Sequence, residues 1–290
     1  MKILAIGDFH GKFPGKFEKI IKKEKVDMVV SVGDHSAVEE WYKYILVFFR
    51  NLKATGERMS AEEYFGKARF KKLLKKDFEA GKMVFRKLNE IGKKIPTVFI
   101  YGNGDDDWYR YPFDRRIGVD KKRLKFLKKQ KNLISINYRT KVVKGYRFLG
   151  FGGYMDTDEM LKRQSYDSME ATVGRRKRRA RSKKKLDSML KNVGKNDKAI
   201  FVFHYTPRGV FDVIKDRKNV FHGENMGISI FSDAIKKKKP VFALCGHMHE
   251  YQGMKKLHGV PVINPGDAGH GKCAVIEIKD KKLLRVRFIK

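Results

Sequence analysis

Residues 2–34 contain a complete strand–helix–strand unit and read KILAIGDFHGKFPGKFEKIIKKEKVDMVVSVGD. The apolar runs at 2–7 and 27–32 are short, contain β-branched residues and are bounded by Gly or Asp, as buried strands usually are. Between them, FEKIIKKEK has apolar residues at helical spacing. Because two strands joined by a helix normally pair in parallel, this stretch predicts an α/β fold.

The rest of the chain continues this alternation. TVFIY (97–101) is a third apolar strand, and 38–52 and about 60–92 have the apolar period of helices packed on a core. The second half contains further strand-like runs that predict a mixed second sheet: LISIN, TKVVKG, YRFLGFGG, KAIFVFH, PVFALCG, VPVINPG, CAVIEIK and LLRVRFI. Since there is no internal repeat or Pro- or Ser-rich linker, 1–290 is predicted to be one domain, with helical insertions near 36–92 and 155–198.

Composition indicates a folded, non-membrane protein. Hydrophobic residues make up 41% of the 290 residues, which excludes a disordered chain. No apolar run approaches the roughly 18 residues that a bilayer crossing needs. The two cysteines, Cys245 and Cys273, lie in predicted buried strands, so reduced thiols and a cytoplasmic location are expected.

The charge is unusually one-sided, with 67 Lys and Arg against 33 Asp and Glu, a net of +34. Such a field attracts polyanions such as nucleic acid, whereas the charge-rich surface of a heat-adapted protein would carry both signs in near balance. The run RRKRRARSKKK (175–185) could grip phosphates, or could be a solvated helix or loop. The candidate substrate-binding residues are Arg175, Arg176, Arg178, Arg179 and, four positions after His204, Arg208.

Polar residues follow the ends of five predicted strands: Asp8 and His10, then Asp34, then Asn103, then His204, then His247 and His249. In open α/β sheets the loops at the carboxyl ends of strands line the site, so these side chains are expected on one rim. Imidazole nitrogens with carboxylate and carboxamide oxygens, and no thiolate, suit manganese, iron or zinc, and a pair of ions better than one.

In order, the motifs DxH, GD, GN, H and GHxH resemble those of the calcineurin-like metallophosphoesterases, over residues 8–249. The resemblance implies a four-layer sandwich of two mixed sheets flanked by helices. It also implies two divalent ions, manganese first, with iron, zinc or nickel as alternatives. Asp8, His10 and His249 would hold one ion, and Asn103, His204 and His247 the other. Asp34 would bridge them, with a hydroxide between the ions attacking phosphorus in line.

One position departs from the family pattern. The family usually has GNH, but here the histidine position is Gly104, in GNGDDD. That histidine is taken to protonate the leaving group, and general acid catalysis contributes about 10²–10⁴ in rate. The family includes diesterases that lack it, so phosphodiesters are favoured as substrates. His35 and His222 are candidate replacement donors, with exposed loop histidines as the alternative.

The sequence therefore predicts a dimetal phosphodiesterase acting on or near nucleic acid. A phosphomonoesterase or cyclic-nucleotide phosphodiesterase is the alternative enzyme, with the charge serving only solubility or heat tolerance. A nucleic-acid-binding protein with a structural or vestigial metal site is the alternative outside catalysis. Two neighbouring predictions concern the loop after Asn103: Asp106 and Asp107 are expected in solvent, and the aromatic residues Trp108, Tyr109 and Tyr111 are expected to pack in the core more than to stack on bases.

Overall fold

The computed structural model describes residues 1–109, 120–162 and 168–290, and its strands form two six-stranded mixed sheets. The first sheet, in spatial order, consists of β12 (Lys282–Ile289), β11 (Cys273–Lys279), β1 (Lys2–Ile6), β2 (Met28–Ser31), β3 (Thr97–Phe99) and β4 (Leu133–Ser135). The second consists of β5 (Arg139–Val143), β6 (Tyr146–Phe151), β7 (Ala199–Phe203), β8 (Phe242–Leu244), β10 (Val260–Asn264) and β9 (Gly253–Leu257). Strands β1 to β4 are parallel, as are β6, β7, β8 and β10.

Seven α-helices lie within the described residues: α1 (Lys16–Glu24), α2 (Glu40–Thr55), α3 (Ala61–Phe65), α4 (Lys67–Gly92), α5 (Lys121–Lys128), α6 (Met169–Lys191) and α7 (Ser229–Lys238). The outer face of the first sheet packs on α1 and α4, and that of the second packs on α6 and α7. A third cluster joins the two sheets face to face, with Val30 and Ile3 on one side and Phe148 and Val202 on the other. The predicted four-layer sandwich is confirmed.

Two expectations about the elements were wrong. Three of the second-half strands, β4, β11 and β12, join the first sheet, because an apolar pattern specifies a buried strand but not its partner. The apolar stripe of α2 reaches the main core only near its C-terminal end, where Phe49 packs against the cluster of the second sheet and Leu52 is buried, while Tyr42 is 48% and Ile45 42% exposed. Its aromatic rings instead contact α3 and α4, as in the edge contact of Trp41 with Phe65.

The predicted helix near 60–92 is broken at Gly66, which adopts a φ of 75° between α3 and α4. None of the helices that the structure describes combines the length and apolar character needed to cross a bilayer. Cys245 and Cys273 are free and buried.

Candidate metal centre

The polar residues predicted to share a rim lie in the loops that follow β1, β2, β3, β7 and β8. The two sheets are linked at this edge, because the His204 ring nitrogen Nδ1 lies 2.9 Å from the Val32 carbonyl oxygen. The Gly246 N–H donates to the His204 carbonyl at 2.9 Å, which ties the loop after β8 to the end of β7. The carboxyl ends of strands from both sheets therefore meet at one place.

One group of potential ligand atoms comes from Asp8, His10, Asp34 and His249, all within 4.8 Å of one another. The Nε2 atoms of His10 and His249 are 2.9 Å apart. Nitrogens that each lie about 2.0–2.1 Å from one ion are about 3 Å apart, so this spacing fits two ligands of a single cation. Asp8 Oδ1 lies 3.8 Å from His249 Nε2.

A second group contains Asp34, His204 and His247. Asn103 joins it through Oδ1, which is 2.8 Å from His204 Nε2. Asp34 Oδ2 lies 3.5 Å from His204 Nε2 and 3.9 Å from His10 Nε2, so the same carboxylate faces both groups. The structure thus brings all seven predicted ligand residues together, with Asp34 between the two sets.

Backbone carbonyls fix how two of the imidazoles point. His10 Nδ1 is 2.8 Å from the Ala37 oxygen, and His204 Nδ1 is 2.9 Å from the Val32 oxygen. A carbonyl can only accept, so each Nδ1 carries the hydrogen and each Nε2 presents its lone pair to the cluster. Histidines that ligate metals are usually oriented in this way.

Four of the seven residues have left-handed backbone conformations: Asp8 (φ 56°), His10 (47°), Asp34 (51°) and His247 (68°). Such conformations cost about 1–3 kcal/mol each when the residue is not glycine, and they concentrate at functional sites. Main-chain bonds hold them here, including the Asp8 N–H to Gly33 and the His10 N–H to Asp34. The sheet edge therefore imposes a strained geometry that aims these side chains inward.

The electrostatics of the cluster favour a bound cation. Burial, followed by the charge of Asp34, raises the pKa of Asp8 well above its usual range. Burial, followed by the nearby histidines, lowers the pKa of His247, and burial with His10 lowers that of His249 to about 4. Neutral imidazoles and crowded carboxylates would both be stabilised by divalent ions, which these nitrogen and oxygen donors suit.

The Gly104 position is closed to a larger side chain. Its N–H donates to Asp34 Oδ1 at 2.7 Å. A Cβ built at Gly104 would lie 2.5 Å from Ala37 Cβ and 3.1 Å from Asp34 Oδ1. The place where the family's histidine begins is thus occupied by Ala37 and by the backbone contact with Asp34.

The two predicted proton donors are not positioned for that role. His35 is fully buried, with Nδ1 2.8 Å from Asp105 Oδ2 and Nε2 3.0 Å from Ser31 Oγ. Both ring nitrogens are therefore engaged inside the protein, and His35 orients the loop beneath Asp34. His222 is exposed, in the segment between β7 and α7, and does not belong to either ligand group found among the described residues.

The arginines assigned to substrate are largely engaged within the protein. Arg178 donates two bonds to Asp156, at 2.9 and 2.8 Å, and Arg179 pairs with the partly buried Asp158. Arg176 donates from Nε to the Leu161 carbonyl at 3.1 Å. The assignment of Arg178 and Arg179 to substrate binding is corrected, because both guanidinium groups are already paired with carboxylates of the loop after β6.

The other two predicted arginines are Arg208, in the loop after β7, and Arg175, on α6. Arg208 is half exposed, and its Nη1 lies 3.3 Å from Asp158. Arg175 is partly buried beside Tyr154, whose pKa its charge lowers against the larger effect of burial.

The two acidic residues after Asp105 differ in exposure. Asp106 is half-buried rather than solvated, and burial, followed by the charge of Asp34, raises its pKa well above the usual range. Asp107 is exposed, as expected, and its carboxylate lies 3.0 Å from the buried Arg123. Trp108 and Tyr109 are buried, which confirms core packing, while Tyr111 lies outside the described residues. The sequence contained a signal for this, because three acidic residues directly precede Trp108 and Tyr109. Packing of the aromatic residues in the core keeps the acidic residues before them close to the protein.

Comparison with known proteins agrees with this geometry. The sequence model of a family described as "Metallophosphoesterase, calcineurin superfamily" matches residues 1–288. TT1561 of Thermus thermophilus is 17% identical, with a TM-score of 0.54 over 99% of this chain and 97% of its own. Another crystal structure is 16% identical, with a TM-score of 0.65 over 100% and 98%. These two likenesses concern the fold.

No curated protein matches the chain. The family match, however, covers nearly every residue and includes all five ligand-bearing loops. The chain therefore belongs to the calcineurin superfamily of metallophosphoesterases, and it is a hydrolase that acts on phosphoric esters.

Proposed function

We propose that this hydrolase is a dimetal phosphodiesterase that acts on nucleic acid or a similar polyanionic ester. Asp8, His10 and His249 would hold one divalent ion, and Asn103, His204 and His247 the other, with Asp34 shared. Manganese is the preferred metal. Such ions, when bound, polarise a phosphoryl oxygen and lower the pKa of a coordinated water.

The observation that carries the diester assignment is the closed position at Gly104. The contact with Ala37 leaves no room for a histidine side chain there, so the site lacks the group that the family uses on a single leaving oxygen. Members of the family that lack this histidine include diesterases, so its absence favours a phosphodiester as the substrate. The chain's own groups keep Asp34 in place, through the Gly104 N–H at 2.7 Å.

The polyanion part of the proposal rests on charge. The net of +34 is far from the near-balance that ion-pair networks require. Several cations of the basic run remain exposed on α6 even though Arg178 and Arg179 are paired, namely Lys177, Arg181, Lys184 and Lys185. Exposed cations on a helix bind phosphates in a salt-dependent manner.

The test compares a chromogenic diester, bis(4-nitrophenyl) phosphate, with the matching monoester, 4-nitrophenyl phosphate, on protein loaded with Mn²⁺. Turnover of the diester in preference to the monoester is expected, and Asp34→Asn should remove it and weaken Mn²⁺ binding. Preferential turnover of the monoester would support the phosphomonoesterase alternative. Turnover of neither ester, together with tight salt-sensitive RNA binding, would support the nucleic-acid-binding alternative.

A further inference from the structure

The first turn of α2 follows closely on a group that orients a metal ligand. Tyr42 lies in this turn, and its N–H donates to the Glu39 carbonyl at 3.0 Å. Shortly before Glu39, the Ala37 carbonyl oxygen lies 2.8 Å from His10 Nδ1 and fixes the direction of that ring. The position of Tyr42 is therefore linked to that of His10 through one short piece of backbone.

The long segment between β7 and α7 is attached beside another ligand. The Lys215 N–H donates to Glu250 Oε1 at 2.6 Å, and Glu250 directly follows His249. The next residue contributes a second bond, because the Tyr251 hydroxyl donates to the Val213 carbonyl at 2.7 Å. Two hydrogen bonds therefore couple this segment to the residues that follow His249.

A hydrogen bond between these two attachments closes a ring of contacts. The Tyr42 hydroxyl donates to Asp216 Oδ2 at 2.5 Å, and Asp216 directly follows Lys215. On the opposite side, the ring closes where the Nε2 atoms of His10 and His249 lie 2.9 Å apart. The members of this contact ring are, in order, His10, Ala37, Tyr42, Asp216, Lys215, Glu250 and His249. The two imidazoles that would share one ion are thus also joined by a route outside the metal centre.

The contact ring contains ligands of only one of the two ions. The residues that would hold the other ion are not members of it: Asn103, His204 and His247. The shared Asp34 is held from another side, by the Gly104 N–H at 2.7 Å. A change confined to Tyr42 should therefore disturb His10 and His249 and spare the other ligands.

Other contacts keep α2 attached to the same segment, farther from the ligands. The rings of Phe49 and Phe221 pack edge to face with centroids 5.1 Å apart, and Lys53 Nζ donates to the Val220 carbonyl at 2.9 Å. Lys53 lies about 16 Å beyond Tyr42 along the helix axis. Because Tyr42 is itself 48% exposed, removing its hydroxyl should leave α2 folded and in place.

We propose that Tyr42 and Asp216 are positioning residues for the ion site of His10 and His249; this rests on the two ions of the proposed function. Neither side chain would ligate a metal. The Tyr42 hydroxyl acts on His10 through the start of α2, and Asp216 acts on His249 through the segment between β7 and α7. Together they hold the two imidazoles at the spacing that one cation requires. Groups that orient metal ligands contribute about 10–100-fold in affinity.

The experiment is calorimetric titration of the full chain with Mn²⁺. The wild type should bind two ions, and His10→Asn identifies the binding phase that belongs to the site of His10 and His249. Tyr42→Phe, which removes only the hydroxyl, should weaken that phase by about tenfold, because the residue acts through a further link, and leave the other phase unchanged. Asp216→Asn should bind both ions as the wild type does, since a carboxamide can still bond to the Tyr42 hydroxyl and the Lys218 N–H.

Two control variants remove similar contacts elsewhere on α2. Tyr44→Phe removes a hydroxyl that donates to the Met59 carbonyl at 2.9 Å, and Lys53→Met removes the distal contact with the segment between β7 and α7. Both should keep the wild-type affinity for both ions. Hydrolysis of bis(4-nitrophenyl) phosphate by Tyr42→Phe should fall at limiting Mn²⁺ and recover at saturating Mn²⁺, which a general loss of structure would not show.

The titration separates this assignment from the proposed function. Unchanged affinities in Tyr42→Phe, an equal weakening of both ions, or the same loss in Lys53→Met would overturn the assignment and leave the two-ion centre intact. A wild type that binds fewer than two Mn²⁺ ions would overturn both. Two bound ions without hydrolysis of either ester would overturn the proposed function alone, since the titration still decides the role of Tyr42.

Discussion

Adding a single methyl group at Gly104 should disturb the metal centre, although Gly104 supplies no ligand. In Gly104→Ala the new Cβ would stand 2.5 Å from Ala37 Cβ, whereas real Cβ contacts below 3.0 Å essentially never occur. Carbon atoms pack best at about 3.5–4.0 Å, so the two must separate by about 1 Å. Neither methyl has a rotamer to change, and the movement must come from the backbone of the 34–37 or 102–104 segment.

Both segments hold parts of the cluster, which sets the size of the effect. The Ala37 carbonyl orients His10 at 2.8 Å, and the Gly104 N–H holds Asp34 at 2.7 Å. Overpacking a tight contact costs about 1–3 kcal/mol, equivalent to about 2–4 °C in Tm per kcal/mol for chains of roughly this size. Losing a group that orients a metal ligand lowers affinity by about 10–100-fold. We expect a Tm lower by several degrees and Mn²⁺ binding weaker by at least tenfold.

The assays are thermal unfolding of the metal-free protein and Mn²⁺ titration by calorimetry. Ala37→Gly is the matched second change, because it removes the contacting methyl, and Ala37 already has a φ of 63° that suits glycine. The double variant should regain most of the wild-type affinity. Wild-type Tm and affinity in Gly104→Ala, or a double variant as impaired as the single one, would refute the steric argument.

Three further predictions concern titratable or charged groups in and near the metal centre. Asp8→Asn should raise the Tm of the metal-free protein, because it removes a buried carboxylate that is repelled by Asp34. The same variant should lose the increase in Tm that Mn²⁺ gives the wild type, and a lower metal-free Tm would contradict the argument. The pKa of His249 is about 4 in the folded protein against an ordinary 6.5, so the unfolded state binds its proton at higher pH than the folded state does. The free energy of unfolding of the metal-free protein, measured with urea, should therefore decrease as the pH falls from 6.5 towards 4. His249→Asn should flatten that slope, and an unchanged slope would exclude His249 as its source. Arg123→Met should lower the free energy of unfolding by about 3–5 kcal/mol, because it removes the charged partner of the buried Asp77. The double variant Arg123→Met/Asp77→Asn should recover part of that stability, and a double variant as unstable as the single one would count against the importance of the pair.

The sequence was sufficient to predict which polar side chains lie together at the sheet edge, because chemistry and topology agree there. Each candidate followed a short apolar strand, and parallel strands place their carboxyl ends at one edge, so Asp8 and Asp34 had to be neighbours once β1 and β2 paired. The same reasoning reached across to the second sheet, since His204 and His247 follow β7 and β8. All these residues directly follow the end of a strand, and the apolar pattern of the neighbouring sequence is enough to locate a strand end.

The parts that failed depend on partners far away in the chain. Nothing in RRKRRARSKKK shows that Arg178 would meet Asp156, because that contact exists only once α6 folds back on the loop after β6. His35, next to Asp34, was interpreted as a proton donor. In the structure both its backbone N–H and its ring nitrogen Nδ1 contact the buried Asp105, which lies 70 residues away in the chain. The alanine that closes the Gly104 position carries no chemical signal at all. Packing of small residues is decided by the assembled fold, not by their own sequence context.

Because Arg178 and Arg179 are paired with carboxylates, the search for the polyanion surface moves to the exposed cations of α6. Lys177, Arg181, Lys184 and Lys185 are exposed at spacings of four, seven and eight residues, which places them on one stripe about 12 Å long. Replacing all four by Gln should reduce the salt slope of RNA binding by about 0.7 per lost single-strand phosphate contact, or nearly 3 if each makes one. The matched control is the same replacement on α5 and its C-cap residue, at Lys121, Lys125, Lys128 and Lys129, which are exposed and have identical spacing. An equal loss of RNA affinity in both variants would mean that the diffuse positive charge attracts the polyanion. A loss confined to the α6 variant would mean that this stripe binds it. Hydrolysis of bis(4-nitrophenyl) phosphate should stay unchanged in both variants.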